Sequence, residues 1–379
     1  MPKTLVIDDD PDFETLCADS GESDNEFVFA RDNETARAHL AHLPDLDIAL
    51  VRVDSERLEG LDLFKQLVGG RVRIPRIALL SGRDLAVARK AMNDGAADFL
   101  VKPVARSDLL GTIERVFKSC EERRLAWRNE AKLSAIQREI TIAEEIQRRI
   151  LPSEFESGDG YTLFARLASA KSMSGDFYDI FELPGERIGL VVADVSGKGI
   201  PAAFFMAVAR TLLRATAMTG TTPSECLAQA NAVLCRHDIP NMFVSAFYGI
   251  FDPKNWTLLY ASAGHLPPLL VSGQGAVSEL DGAEGLVLGV SEDFPYSEDV
   301  LHFKPGDGLA IYTDGLSEAF DPMRNQFGEE RALNVLAHLP PTSSAAELVD
   351  ALFQAQDVFV AGAERSDDTT VLVIKRMLL

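Results

Sequence analysis

From Ser119 to Leu151 the chain contains neither glycine nor proline and is dense in Glu, Arg, Ala and Ile, which reads as one long helix. Within it Asn129, Leu133, Ile136, Ile140, Ala143, Gln147 and Ile150 alternate spacings of four and three, the heptad seam of a coiled coil. At about 1.5 Å per residue the run spans roughly 45 Å, and Pro152 marks its end. Polar Asn129 and Gln147 on the seam favour a fixed register and a small oligomer. The expected assembly is a parallel homodimer through this helix; the alternative is an amphipathic helix packed on its own C-terminal domain. The helix divides the chain into residues 1–118, a helical linker at 119–152, and residues 153–379. With 379 residues and 46% hydrophobic content there is material for two cores.

The C-terminal part carries four short acidic motifs: Gly175-Asp176, Asp194-Val195-Ser196-Gly197, Asp314-Gly315 and Asp367-Asp368. Three of them follow apolar runs that read as strands, such as Ile188–Val192 and Leu309–Tyr312. A fold can gather hard oxygen ligands in this way at one edge of a sheet. Mg²⁺ and Mn²⁺ take carboxylate and water oxygens in octahedral array, and such aspartates can assemble a two-metal centre that activates water against a phosphoryl group. Taken singly, each motif is also an ordinary turn.

The flanking residues narrow the choice. SGDFYDIF (174–181), ADVSGKGIPAAFFMA (193–207), SAGHLPPLL (262–270), IYTDGLSEAF (311–320) and SDDTTVLVIK (366–375) resemble, in order and spacing, the bacterial metal-dependent, type 2C-like serine/threonine phosphatases of sporulation and general-stress signalling. The resemblance implies an α+β fold of four layers, α-β-β-α, and direct hydrolysis with no phosphoenzyme. It makes Asp176 and Asp194 the catalytic, bridging ligands of two Mn²⁺ or Mg²⁺ ions, with a backbone carbonyl near Val195, and Asp314 and Asp367 ligands of the second ion. Asp368 stands behind them. Asp179 either tunes the site or finishes its strand, and His265 either assists catalysis or braces a loop. The substrate implied is a phosphoserine or phosphothreonine protein of the anti-anti-sigma type. The alternative from another class is a silent phosphatase-fold scaffold that binds a signalling partner.

Two other routes to phosphate chemistry fail on their residues. Cys17, Cys120, Cys226 and Cys235 lie in no phosphate-cradling loop and read as buried thiols. Gly197-Lys198-Gly199 lacks the spacing of a P-loop, and Pro201 with the following apolar residues reads as a helix start.

In the first 118 residues, apolar runs at Thr4–Ile7, Ile48–Val53, Ile77–Leu80 and Phe99–Val101 alternate with helical periods such as Leu85–Asn93, as in a doubly wound five-stranded parallel sheet. Asp8-Asp9-Asp10, Ser81 and Lys102-Pro103 fall at strand ends, where ligands of such sheets bind. The arrangement resembles the receiver domain of two-component response regulators. In receivers the phosphoryl-accepting aspartate lies eight residues before a glycine, and counting back from Gly60 gives Arg52. Asp54 is the alternative acceptor. An arginine in a buried run needs carboxylate partners, and Asp8 and Asp9 are the candidates; that salt bridge takes the place of the receiver's metal. The expectation is a pseudo-receiver that senses partners or dimerises, and is not controlled by phosphorylation.

A net charge of −21 argues against nucleic acid or anionic membrane as a partner. No run of about 18 apolar residues is evident, the N-terminus lacks a signal-peptide pattern, and four unpaired-looking cysteines suit a reducing cytoplasm.

Overall fold

The computed structural model describes residues 2–19, 25–43, 45–53, 74–82, 85–153, 157–237 and 240–378. They fall into two compact units, Met1–Ile136 and Gln137–Leu379.

The first unit runs β1 (Lys3–Ile7), α1 (Pro11–Asp19), β2 (Glu26–Ala30), α2 (Asn33–His42), β3 (Ile48–Val53), β4 (Arg76–Leu80), α3 (Leu85–Asn93), β5 (Asp98–Val101) and the start of α4 (Arg106–Ile150). Its strands pair in the order β2-β1-β3-β4-β5, all parallel. A parallel sheet is covered on both faces, which is why its strands are nearly unbroken apolar runs. Along β3, Ile48 and Leu50 enter one core while Ala49, Val51 and Val53 enter the other. Asp32 caps α2 by accepting the Thr35 amide at 2.7 Å. The Asp54 alternative and the Gly60 counting mark lie outside the described residues.

Helix α4 starts at Arg106 rather than near Ser119. Gly111 costs about 1 kcal/mol inside a helix, but Leu109, Ile113 and Val116 bury themselves in the first unit's core and carry the helix through it. The heptad seam is not uniform along α4. Leu133 and Ile136 are 67% and 54% exposed, whereas Ile140, Ala143 and Ile150 are partly covered and Gln147 is buried. Gln147, expected on an oligomer seam, belongs instead to the interior of the second unit.

The second unit continues with β6 (Tyr161–Ala168), β7 (Phe177–Leu183), β8 (Arg187–Val195), α5 (Ile200–Ala217), α6 (Pro223–His237), β9 (Val244–Asp252), β10 (Thr257–Ala263), β11 (Leu269–Val271), β12 (Val277–Glu279), β13 (Glu298–His302), β14 (Gly308–Tyr312), α7 (Asp314–Ser317), α8 (Glu329–Ala337), α9 (Ala345–Val360) and β15 (Thr369–Arg376). Two antiparallel sheets result, β13-β10-β9-β8-β7 and β12-β11-β14-β15-β6. Alternation sorts their side chains. Tyr178, Leu190, Val192, Leu309, Ile311, Leu372 and Ile374 fill the space between the sheets. Phe177, Val191 and Ala193 face α5 and α6, and Ala310, Val371 and Val373 face α8 and α9. The layers are therefore α-β-β-α.

Helix α5 is long and apolar enough to cross a membrane by length and composition alone, a segment the sequence reading passed over. Its Ala202, Phe205, Met206, Ala209 and Leu213 lie in the sheet–helix core, and its Arg210 and Arg214 are ion-paired to Asp179 of β7. Those placements are a core helix's.

Phe353 of α9 is fully buried, with the guanidinium of Arg166 over its ring at 4.4 Å. Phe353→Ala should destabilise the second unit by about 3–5 kcal/mol, read as a lowered denaturation midpoint; a loss under about 1 kcal/mol would contradict this core.

Candidate active site

The two sheets end side by side, and their ends carry the acids. Asp176 immediately precedes β7, Asp194 is the penultimate residue of β8, Asp314 opens the single-turn α7 directly after β14, and Asp367 and Asp368 lead into β15. Asp194 thus sits inside its strand rather than beyond it.

Asp176 is almost fully buried, and its Oδ2 accepts hydrogen bonds from Thr313 Oγ1 at 2.6 Å and Thr370 Oγ1 at 2.8 Å, both from the opposite sheet. These two threonines went unread in the sequence. The signal was present, since each stands beside an acidic motif, in Thr313-Asp314 and Asp368-Thr369-Thr370. Asp368 accepts the Ala170 amide at 2.7 Å on Oδ1 and the Gly175 amide at 2.8 Å on Oδ2, and so clips the approach to β7. Asp367 pairs with Lys198 at 2.6 Å, and the same ammonium donates to the Ser366 carbonyl at 2.6 Å.

Two glycines are required by close approach. A Cβ on Gly175 would stand 2.9 Å from the Val195 carbonyl oxygen, and one on Gly315 would stand 1.8 Å from the Asp368 carbonyl oxygen. Glycine at these positions lets the acidic segments close on one another.

The electrostatics show how concentrated the negative charge is. Burial first, then the charge of Asp194, holds the Asp176 carboxyl well above the usual carboxylate range. Burial and then Asp314 push Asp194 up to about 7, and burial followed by Asp367 raises Asp314. Among the described residues no three carboxylate, thiol or imidazole side chains form a finished coordination group; the acids pair instead with one another, with hydroxyls and with Lys198. The donor set still fits a hard divalent cation, being all oxygen, strongly anionic and flanked by the Val195 carbonyl.

Asp179 and His265 stand apart from this cluster. Asp179 is buried, and its carboxylate is held by Arg210 at 3.0 Å and Arg214 at 2.9 Å, two arginines the sequence reading did not use. Burial raises its pKa, with the two arginines opposing. His265 is buried with Nδ1 3.0 Å from Ser245 Oγ, while its Nε2, facing the Tyr312 backbone, meets no partner in ordinary hydrogen-bond geometry. Burial lowers its pKa to about 4.

In the first unit Arg52 at the end of β3 is ion-paired to Asp9 and, at 3.5 Å, to Asp8. Its side chain is 32% exposed, so the charge is only partly desolvated. Lys102 completes the group, 2.5 Å from Asp8 and 2.7 Å from Asp10. Asp9, Asp10, Arg52 and Lys102 line, with Ser81, a cleft of about 640 Å³.

A parallel five-stranded sheet with acids and a lysine at its strand ends, followed by a two-sheet sandwich with clustered aspartates, defines the class: a receiver domain joined to a phosphatase domain of the 2C type. Comparison with known proteins gives the particular family. Residues 184–377 match the stage II sporulation protein E family, and residues 4–114 match the response regulator receiver domain. Over 245 residues the chain is 34% identical to phosphoserine phosphatase RsbU of Bacillus subtilis (strain 168), an overlap of 64% of this chain and 71% of that protein. It is 26% identical over 323 residues to protein IcfG of Synechocystis sp., across 77% of this chain and 50% of that one. The SiaA-PP2C domain of Pseudomonas aeruginosa shares the fold, with a TM-score of 0.56 and 23% identity over 64% of this chain and 97% of that chain. The chain belongs to the stage II sporulation protein E family of metal-dependent serine/threonine phosphatases, with a receiver domain at its N-terminal end.

Because the folded pKa of His265 is depressed from 6.5 to about 4, its neutral form contributes stability that is full above about pH 6.5 and is lost as pH falls toward 4. That contribution has a slope of at most about 1.4 kcal/mol per pH unit. His265→Gln should flatten the acid limb of the stability curve by up to one proton; identical slopes in the two proteins would show that His265 titrates normally.

Proposed function

We propose that this protein hydrolyses phosphoserine or phosphothreonine on a protein of the anti-anti-sigma type, using two Mn²⁺ or Mg²⁺ ions. What supports the reading is that Asp176, Asp194, Asp314 and Asp367 stand at the ends of strands in two sheets and that burial and then the charges of neighbouring acids raise the pKa of Asp176, Asp194 and Asp314. Asp176, Asp194, Asp314 and Asp367, with the Val195 carbonyl, would hold the ions. When bound, the ions supply an activated water and steady the charge on the phosphoryl oxygens. The chain's own residues do the positioning. Thr313 and Thr370 fix the Asp176 carboxylate by two hydroxyl donors, Asp368 holds the backbone at Gly175, and Lys198 screens Asp367. Similarity to a phosphoserine phosphatase supports phosphoserine as the target.

The first unit regulates without an aspartyl phosphate in this reading, because Arg52 occupies the acceptor position and engages Asp8 and Asp9. Helix α4 carries the signal from residues 1–118 through residues 119–152 to the phosphatase domain at 153–379, and its exposed seam residues Leu133 and Ile136 supply a homodimer contact. The four free cysteines support a cytoplasmic setting.

Phosphate release from a phosphoserine protein should require Mn²⁺ or Mg²⁺. It should fall in EDTA and in Asp194→Asn by more than about a hundredfold, beyond the 10–100-fold typical of residues behind a metal's ligands. Inactivity of the wild type under every condition would leave the scaffold reading standing. Sedimentation of the full chain should give a dimer that Leu133→Glu with Ile136→Glu converts to monomer; a monomeric wild type would refute the seam.

A further inference from the structure

The last turn of α4 meets the phosphatase fold through one polar side chain. Gln147 is only 8% exposed, and its amide answers both backbone groups of one residue: Nε2 donates to the Ser174 carbonyl at 2.7 Å, and Oε1 accepts the Ser174 amide at 3.0 Å. This pair of bonds imitates one rung of a sheet. Ser174 stands two residues before Asp176, and its Oγ accepts the Asp176 amide at 3.0 Å. The next residue is held from elsewhere, the Gly175 amide by Asp368. Residues 174–176 are therefore pinned in succession, and Gln147 is the pin that α4 provides.

We propose that Gln147 is a positioning residue through which α4 sets the place of Asp176 and with it the affinity of the site for divalent cations. This rests on the metal-dependent reading above. Without the amide, the Ser174 N–H and C=O are both left buried and unpaired, which the segment relieves by shifting toward water. Asp176 shifts with it, because its own amide is bonded to the Ser174 hydroxyl. A bulky residue that merely filled the space would not have this effect, since packing is indifferent to which atoms donate and accept. Ile146, Arg148 and Arg149 on the same turn are exposed and Ile150 is partly covered, so Gln147 is the turn's buried side chain. A rotation or axial shift of α4 carries Gln147 along and is thereby transmitted to the backbone that bears Asp176.

The test is calorimetric Mn²⁺ binding to the full-length chain, compared among wild type, Gln147→Met and Arg148→Ala. Methionine keeps the volume and loses both hydrogen bonds; Arg148 is the exposed control. Gln147→Met should weaken Mn²⁺ binding by about tenfold or more, speed amide exchange at residues 174–176, and leave the rest of the second unit protected, with Arg148→Ala unchanged. Binding by Gln147→Met within about twofold of wild type would overturn the inference, given the 10–100-fold losses such support residues cause elsewhere. Should Gln147→Met fail to fold, Gln147→Asn, whose amide is one carbon short of Ser174, is measured against the same threshold. A wild type that binds no Mn²⁺ would overturn the metal reading itself, an outcome separate from equal binding by both proteins.

Discussion

Everything at this site depends on burying one carboxylate, Asp176, between two sheets. An ionised carboxyl taken out of water is costly unless it is hydrogen-bonded and paired, and here the fold supplies two hydroxyls from the opposite sheet, Thr313 and Thr370. Those bonds tie the approach to β7 to the ends of β14 and β15. The other acids follow from that closure, because Asp314 and Asp368 are chain neighbours of the groups that hold Asp176. Gly175 and Gly315 are the steric counterpart, each standing where a single methyl group would meet a carbonyl oxygen. The remaining charge is unbalanced: Asp176, Asp194 and Asp314 all titrate above the usual carboxylate range. Such an all-oxygen, anionic donor set suits a hard divalent cation.

Much of the fold was legible because burial leaves a periodic mark. The receiver strands stand out as apolar runs, and β8 and β14 as runs ending in or beside an acid. The weakest strand of the first unit, Glu26–Ala30, is only partly buried along most of its length, and its pattern carried little signal. Helix α4 begins well before the run that opens at Ser119, because the buried face of Leu109, Ile113 and Val116 carries it past Gly111. Partners distant in sequence were illegible for a different reason. Nothing near Asp179 announces Arg210 or Arg214, since their meeting is made by the packing of α5 on β7 and not by any local spacing. Gln147 illustrates the same limit: a heptad count places it on a seam, while the direction of its side chain is decided by a carbonyl 27 residues away.

By its resemblance to receivers the first unit has Arg52 where the acceptor aspartate is expected, and the consequence is electrostatic. Arg52 brings a permanent positive charge to a position where an acceptor aspartate would gather a metal and a phosphoryl group. Asp8, Asp9 and Asp10 are then shared between Arg52 and Lys102. Two fixed cations offset two of these three carboxylates, which weakens what the group can offer Mg²⁺. The first turns of α4 are built into the core of this domain.

Within the phosphatase unit, β7 is the strand on which two helices act. At its start Gln147 of α4 holds Ser174, and three residues beyond Asp176 the Asp179 carboxylate is gripped by Arg210 and Arg214 of α5. A separation of three along an extended chain places Asp176 and Asp179 on opposite faces, so neither grip obstructs the other. The Asp179 grip is buried and incomplete, with the Arg210 Nε left without a hydrogen bond, and a buried ion pair tolerates displacement poorly. A movement of α5 that broke it would leave a charge uncompensated beneath the strand that follows Asp176. Allosteric control requires an element whose position both the regulator and the site can bias. β7 has contacts of that kind: Gln147 of α4 meets the segment at its start, Arg210 and Arg214 of α5 meet its helix-facing side, and Asp176 lies between.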